Sequence, residues 1–330
     1  MTDRELDVVG IGNAIVDVLS HAEDDFLVEQ GLAKGTMALI DTDRAEALYA
    51  AMGPAVEASG GSAANTIAGI ASLGGRAAFI GKVSNDQLGG IFRHDIRAAG
   101  VKFDTEPSVS GVPTARCLIL VTPDAQRTMN TYLGASLELG PDDIDADLVG
   151  NAQVTYLEGY LWDPPLAKQA FLKAARIAHQ AGRKIALSLS DPFCVDRHRA
   201  EFVELVKNHV DILFANEHEI CSLWQVDSFD AALQATRGHC EVAALTRSEK
   251  GSVILGNGEV HVVDAVRVGK VVDTTGAGDL YAAGFLFGLT GGRDLYECGR
   301  IASLAAAEAI SHFGARPETP LAELVLAELG

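Results

Sequence analysis

The sequence predicts an α/β fold: a mainly parallel sheet covered by helices on both faces, joined by a smaller group of strands. Three observations predict it. From residue 154 onward short apolar strands alternate with amphipathic helices, the rhythm of a parallel sheet with crossover helices. A strand-like run opens the chain at 6–12 (LDVVGIG). Between these regions lie strand-like pieces near 13–20, 36–41, 114–121 and 127–133 without full-length helices between them. They read either as a small separate sheet forming a lid or as an extension of the main sheet's edge.

Taken in order, TMALI (36–40) is strand-like, SAANTIAGIASL (62–73) is small, apolar and helix-compatible, and RAAFIGKV (76–83) is a strand. QLGGIFRHDIRAAG (87–100) has helical spacing and ends on Gly100 as a C-cap. TARCLILVT (114–122) and RTMNTYL (127–133) flank PDAQ, a hairpin signal. VTYLEGY (154–160) is a strand, 166–182 a Gly-capped amphipathic helix, KIALSLS (184–190) a strand, FVELVKNH (202–209) a helix and VDILFAN (210–216) a strand. A helix near 217–237, the strand EVAALT (241–246), a hairpin over 251–263 and helices at 276–290 and 293–312 complete the pattern.

With 26 Lys and Arg against 45 Asp and Glu, the net charge is −19. No basic cluster interrupts it, which argues against a nucleic-acid partner. Apolar runs are broken well short of the roughly 20 residues of a membrane span. The acidic start lacks the layout of a secretory signal, so the chain reads as cytoplasmic with no membrane partner. Five cysteines without a CxxC argue against a disulfide framework or zinc ribbon. GIGNAI (10–15) has Ile15 where a dinucleotide fingerprint needs its third glycine, and GGRAAFIGKV (74–83) lacks both the spacing and the Ser/Thr of a P-loop. His218 and Cys221 share a helical face, but no second pair completes a zinc site.

The segment that points to chemistry is VVDTTGAGDLYAAGFLFGL (271–289). An apolar strand-like run meets Asp-Thr-Thr, then Gly276, Ala277 and Gly278, then Asp279 at the start of an apolar helix. Unpaired amides at a helix N-terminus attract an anion, and glycines let a ligand approach the backbone. Asp279 stands where a carboxylate could take a proton from an attacking hydroxyl. The plain alternative is a Gly-rich helix start with an ordinary first-turn acid.

This heptapeptide resembles the second signature of the ribokinase family, the phosphofructokinase-B type of sugar and nucleoside kinases. The resemblance implies a ribokinase-like three-layer α/β/α core with a small β-sheet lid, Asp279 as general base, and Gly276, Ala277 and Gly278 as an anion hole. Other segments follow the family's order. VGIGNAIVDV (9–18) is similar to its first strand, with Asp17 and Asn13 toward the acceptor's hydroxyls. GGSAANTI (60–67) is similar to its first signature, with Gly60, Gly61, Ser62 and Asn65 matched. NEHE (216–219) is similar to the NxxE motif linked to magnesium and phosphate, through Asn216 and, indirectly, Glu219. LTRSEKGSVIL (245–255) matches the nucleotide's strand-turn-strand, with Thr246, Arg247 and Gly251 beside Thr274 and Thr275. Arg127 is either a phosphate clamp in the lid or a solvated hairpin arginine. The family's monovalent-cation positions map onto Asp273, Thr275, Ala309, His312 and Gly314; the other reading of 309–314 is a helix end and a Gly turn.

The resemblance thus implies ATP and Mg²⁺, with potassium as a further ion, and a nucleoside or sugar acceptor. The large unit is expected over 1–12, 43–110 and 134–330, the lid over 13–42 and 111–133, the assembly as monomer or homodimer. Ser62 stands where ribokinases usually carry Lys, and the three motifs together look more like adenosine kinases. A purine needs apolar walls, for which Met37, Leu39, Leu133, Tyr160 and Trp162 are available, although Trp162 reads equally as a loop anchor on the core. A sugar kinase such as one for ribose or fructose is the alternative acceptor class, and a non-catalytic sensor of the same fold the remote one.

Overall fold

The computed structural model describes residues 6–124 and 126–329. Residues 1–5 and Gly330 of the expected large unit and Ala125 of the PDAQ turn lie outside the described residues. The chain runs β1 (Leu6–Ile11), β2 (Ile15–His21), α1 (Asp24–Glu29), β3 (Met37–Leu39), α2 (Thr42–Ala51), β4 (Ala55–Gly60), α3 (Ser62–Ser72), β5 (Ala77–Ile80) and α4 (Gln87–Ala98). It continues through β6 (Ala115–Val121), β7 (Arg127–Tyr132), α5 (Ala146–Asn151), β8 (Ala152–Glu158), α6 (Pro165–Gln180), β9 (Lys184–Ser188), α7 (Pro192–Asn208), β10 (Ile212–Asn216) and α8 (Glu217–Trp224). Then come α9 (Phe229–Thr236), β11 (Val242–Thr246), β12 (Ser252–Gly256), β13 (Glu259–Val263), α10 (Ala277–Thr290), α11 (Leu295–Ala309) and α12 (Leu321–Leu329).

Eight strands form one sheet in the order β13-β12-β11-β10-β9-β8-β1-β5. It is parallel from β5 to β11, and β12 and β13 add an antiparallel edge. Its interior strands are buried on both faces, and successive side chains feed two cores. Val8, Val154 and Tyr156 enter the core beneath α3, α10 and α11, while Val9, Ile11 and Leu157 enter the core beneath α6 and α7. Ala, Gly and Leu dominate α10 and α11, so these two helices approach closely. At Gly284 a Cβ would stand 2.7 Å from the Ala302 Cα. Strand β1 lies between β5 and β8, so the chain leaves it in opposite directions. Such a reversal opens a crevice at the strands' carboxyl ends, where α/β sheets take ligands.

Five strands form a second sheet in the order β3-β7-β6-β2-β4, and its cleft-side face carries Cys117, Ile119 and Val121. Strand β4 is the difference from the sequence reading, which puts 43–110 in the large unit. After the Gly53-Pro54 break the chain returns antiparallel along β2, with Val16 opposite Ser59 and Ile15 opposite Gly60. The expected helix over 217–237 is two helices. Gln225 takes a left-handed conformation, φ 54°, which closes α8, and Ser228 caps α9 by accepting from the Ala231 amide.

Candidate active site

One cleft runs along the carboxyl ends of the large sheet and under the smaller one. β1 delivers Asn13, β8 ends on Glu158, β9 on Ser188, β10 on Asn216 and β11 on Thr246, and all of them line it.

Asp279 sits in the first turn of α10. Its Oδ1 accepts from the Ser62 hydroxyl at 2.6 Å and its Oδ2 from Asn65 Nδ2 at 3.2 Å, so the two sequence motifs meet across 217 and 214 residues of chain. Burial raises its carboxyl above the usual range, while the Ser62 and Asn65 bonds and the Arg316 charge pull the other way. Gly276, the residue before α10, has φ 78°, and a Cβ there would lie 2.6 Å from that of Ala315. No other residue fits that turn without strain. The Ala277 amide reaches back to the Thr274 carbonyl at 3.3 Å. Gly278 and Asp279 are the next two helical positions, whose amides have no carbonyl within their own helix.

The acceptor end is built on β1, β2 and the start of α3. Asn13 is buried; its Nδ2 donates to Glu158 Oε1 at 2.6 Å, and its Oδ1 is buried with no partner among the described residues. An orphaned buried acceptor costs about 1–3 kcal/mol, which a ligand hydroxyl would recover. Asp17 packs on Gly60, where a Cβ would come within 2.3 Å of its carboxylate. Burial pushes the Asp17 carboxyl up to about 6, with the Arg316 and Arg127 charges opposing and Asp279 adding to the rise. At Gly61, φ 98°, a Cβ would strike the Asn13 carbonyl at 2.3 Å. Glu158 also accepts from the Ala63 amide at 2.8 Å, and burial holds its carboxyl at about 7.

Of the apolar wall expected from the sequence, Met37, Leu39, Leu133 and Tyr160 line the cleft. Trp162 does not. It is buried against Phe171 and Phe202, and its indole donates to Glu201 at 2.6 Å, so it belongs to the core beneath α6 and α7. Ile15, Cys117, Ile119, Met129 and Phe193 line the cleft as well. Phe193 is 75% exposed and Leu39 60%, so both present apolar surface to the cleft that a flat apolar ligand would cover.

At the other end of the cleft Thr246, Gly251, Thr274 and Thr275 form part of the lining. Arg247 does not join them; its guanidinium lies over the Phe229 ring at 4.3 Å, with Glu217 3.8 Å away. Asn216 and Glu219 form a capping box at the start of α8. Asn216 Oδ1 accepts from the amides of His218 and Glu219, both at 2.9 Å, and Glu219 Oε2 accepts from the Asn216 amide at 2.9 Å. Burial raises the Glu219 carboxyl to about 7. Both side chains line the cleft, but their polar atoms are largely spent on the helix cap. Among the described residues no cluster of three metal-binding side chains occurs.

Arg127 reaches from β7 to the loop before α10. Its Nη1 lies 2.7 Å from Asp273 Oδ2 and 3.3 Å from Thr275 Oγ1, while Nε and Nη2 are buried without a partner among the described residues. It is a buried inter-sheet arginine, not a solvated one. Asp273 Oδ1 accepts from Thr275, and Oδ2 also accepts from the Gly314 amide at 3.0 Å. Asp273, Thr275 and Gly314 are therefore together, next to a guanidinium. The His312 ring turns away to Glu308 at 3.1 Å, and Ala309 is buried in α11. Sequence reasoning missed Arg316, whose Nε donates to Asn65 Oδ1 at 2.8 Å, and missed Glu158 and Phe193. None of the three stands in a motif.

A parallel α/β sheet with a second small sheet, a glycine turn at a helix N-terminus and a buried aspartate beside it define the ribokinase-like phosphotransferases. The model of the pfkB family of carbohydrate kinases matches residues 37–322, and the chain belongs to that family. A crystal structure of adenosine kinase from Sinorhizobium meliloti is 56% identical, with TM-score 0.90, over 98% of this chain and 99% of that one. A probable sugar kinase from Rhizobium etli is 55% identical, with TM-score 0.91 over the same shares. Adenosine kinase of Saccharomyces cerevisiae is 26% identical over 304 residues, 86% of this chain and 88% of that protein. The chain is a nucleoside or sugar kinase, a phosphotransferase with an alcohol group as acceptor. No helix among the described residues is long and apolar enough to cross a membrane.

Proposed function

We propose that the chain transfers the γ-phosphoryl group of ATP to the 5'-hydroxyl of adenosine. The observation that carries this reading is the composition of the acceptor end. Polar groups suited to hydroxyls, Asn13 with its unpaired Oδ1 and Asp17, line the same cleft as the exposed apolar side chains of Met37, Leu39 and Phe193. A ribose needs the first, and a purine ring needs the second.

In the mechanism, Asn13 and Asp17 hold the ribose hydroxyls so that the 5'-hydroxyl faces Asp279. Ser62 and Asn65 hold the Asp279 carboxylate, which takes the proton as the hydroxyl attacks. The amides at the start of α10 face the transferring group and stabilise its charge, as pre-aimed donors do without reorganisation. ATP with magnesium supplies the phosphoryl group and its charge neutralisation. The residues suit a magnesium ion brought in on the phosphates, with Glu219 acting through water, rather than a protein cage. Arg127 adds positive charge at the anion loop and closes the smaller sheet over it as a lid. A potassium ion would have to rely on backbone carbonyls, since both Asp273 carboxylate oxygens already accept from protein donors.

The second reading is a sugar acceptor, favoured by the name of the Rhizobium etli relative and by a hydroxyl-binding end that would serve a sugar equally. ADP release with Mg²⁺ and K⁺ against adenosine, inosine, guanosine, cytidine, ribose and fructose separates the two. Turnover with adenosine far above the sugars is expected; turnover with a sugar alone would overturn the nucleoside reading and leave Asp279 in its role.

A further inference from the structure

Arg316 follows the Gly314–Ala315 turn after α11 and belongs to none of the motifs above. Its guanidinium makes two directed bonds: Nε donates to Asn65 Oδ1 at 2.8 Å, and Nη2 donates to Ser59 Oγ at 2.9 Å. Each partner is itself held. Asn65 Nδ2 donates to Asp279 Oδ2 at 3.2 Å. The Ser59 hydroxyl and amide both donate to Asp95 Oδ2, at 2.6 and 2.7 Å. A continuous line therefore runs from Asp279 through Asn65, Arg316 and Ser59 to Asp95, and it joins α10, α3, the C-terminal segment, β4 and α4.

The direction of the Asn65 amide decides what faces Asp279. A carboxamide can present oxygen or NH₂ to a neighbour, and an oxygen facing the Asp279 carboxylate would set acceptor against acceptor. An arginine has no acceptor atom, so an Nε–H on Oδ1 leaves only Nδ2 for the aspartate. The charge environment of Asp279 adds to this. Asp17 on β2 and Glu158 on β8 bring carboxyls toward Asp279, Tyr156 on β8 and Tyr160 just beyond it bring phenols that burial keeps neutral, and Ser62 and Asn65 bring neutral donors. Among the described residues Arg316 is the cation whose charge acts on Asp279, and it opposes the rise that burial imposes on that carboxyl.

We propose that Arg316 is a positioning residue for the reaction: it fixes the Asn65 amide toward Asp279 and, through Ser59 and Asp95, braces the base against β4 and α4. The inference rests on the reading of Asp279 as general base. Arg316 is not among the residues that line the cleft, so its loss acts chiefly on kcat through the base, with the Asp17 carboxyl, which its charge also lowers, as the second group it reaches.

The test is the pH profile of kcat and of kcat/KM for Arg316→Met, Arg316→Lys and Ser59→Ala, measured with whichever acceptor of the panel the unmodified protein phosphorylates. In Arg316→Met the acidic limb of kcat moves to higher pH by about 1 unit, the size of effect an opposite charge at this range exerts. Its kcat at neutral pH falls by ~10²-fold, as for a misplaced catalytic group, with a much smaller change in KM. Arg316→Lys recovers the limb but only part of kcat, since an ammonium supplies charge without the two-pronged geometry. Ser59→Ala moves both in the same direction by less. An unmoved limb and a kcat within about twofold of the parent in Arg316→Met, or a change confined to KM, would overturn the proposal. If Arg316→Met does not fold, the same null result in Ser59→Ala and Arg316→Lys overturns it. Asp279→Asn in the same assay keeps the two readings apart. Full activity there removes the base assignment, whereas an inactive Asp279→Asn beside an unmoved Arg316→Met profile removes Arg316 alone.

Discussion

The Asp279 carboxylate is held on both oxygens, by a hydroxyl 2.6 Å away and an amide 3.2 Å away, at the mouth of a helix whose first amides face the same space. Replacing it with Asn keeps the shape and removes the proton acceptor. Asp279→Asn is expected to lower kcat by about 10²–10⁴-fold with little change in KM for ATP, read by steady-state ADP release; a rate equal to the parent's would remove the base from the mechanism. Residues of this kind are legible in a sequence because the backbone dictates them. Gly61 and Gly276 occupy positive-φ positions with the Asn13 carbonyl and Ala315 directly against them, so their neighbours Ser62 and Asp279 are marked by the glycines. Arg316 and Glu158 carry no such mark. Each reaches the site from a position set by tertiary packing, 251 residues from Asn65 and 145 from Asn13, and no local spacing announces it.

Among the elements, the strand-helix alternation after residue 154 is visible because each parallel strand is a short apolar run and each helix has one apolar stripe. The smaller sheet is harder to read. Strand β4, AVEASG, is weakly apolar, and its pairing with β2 makes it a strand. One side chain of β7 reaches the loop that precedes α10. Arg127 joins this sheet to the anion loop through Asp273, and the pair is nearly buried, with side chains 8% and 7% exposed. Arg127→Met removes a buried cation beside the loop that precedes α10 and leaves Asp273 with only its Thr275 and Gly314 donors. Turnover is expected to fall by about 10²-fold, the usual effect of losing one charge-stabilising donor, while acceptor binding measured by calorimetry stays near the parent's. An unchanged turnover would make Arg127 a structural tie alone.

Across the whole molecule the dominant electrostatic fact is an excess of acid, −19 net, with several carboxyls buried around one cleft. Burial raises Asp17 to about 6 and Glu158 and Glu219 to about 7, against ordinary values of 3.8 and 4.5. A carboxyl raised in the folded state binds more protons there than in the unfolded chain. Between roughly pH 4 and 7 each of these groups therefore makes the fold less stable as pH rises, and the loss is complete above the folded value. For a group shifted as far as Glu158 the linkage amounts to ~3 kcal/mol. Glu158→Gln removes that titration while keeping an acceptor oxygen for one of its two donors, Asn13 Nδ2 and the Ala63 amide. Denaturant unfolding at pH 5, 6, 7 and 8 is expected to show the parent losing stability with pH, and the variant gaining on it steadily up to about pH 7. The constant cost of the altered hydrogen bonds shifts the variant's curve without changing its slope, so the slope difference isolates the buried charge. Parallel curves would mean that Glu158 is ionised throughout this range, with Asn13 and the Ala63 amide together outweighing the cost of its burial.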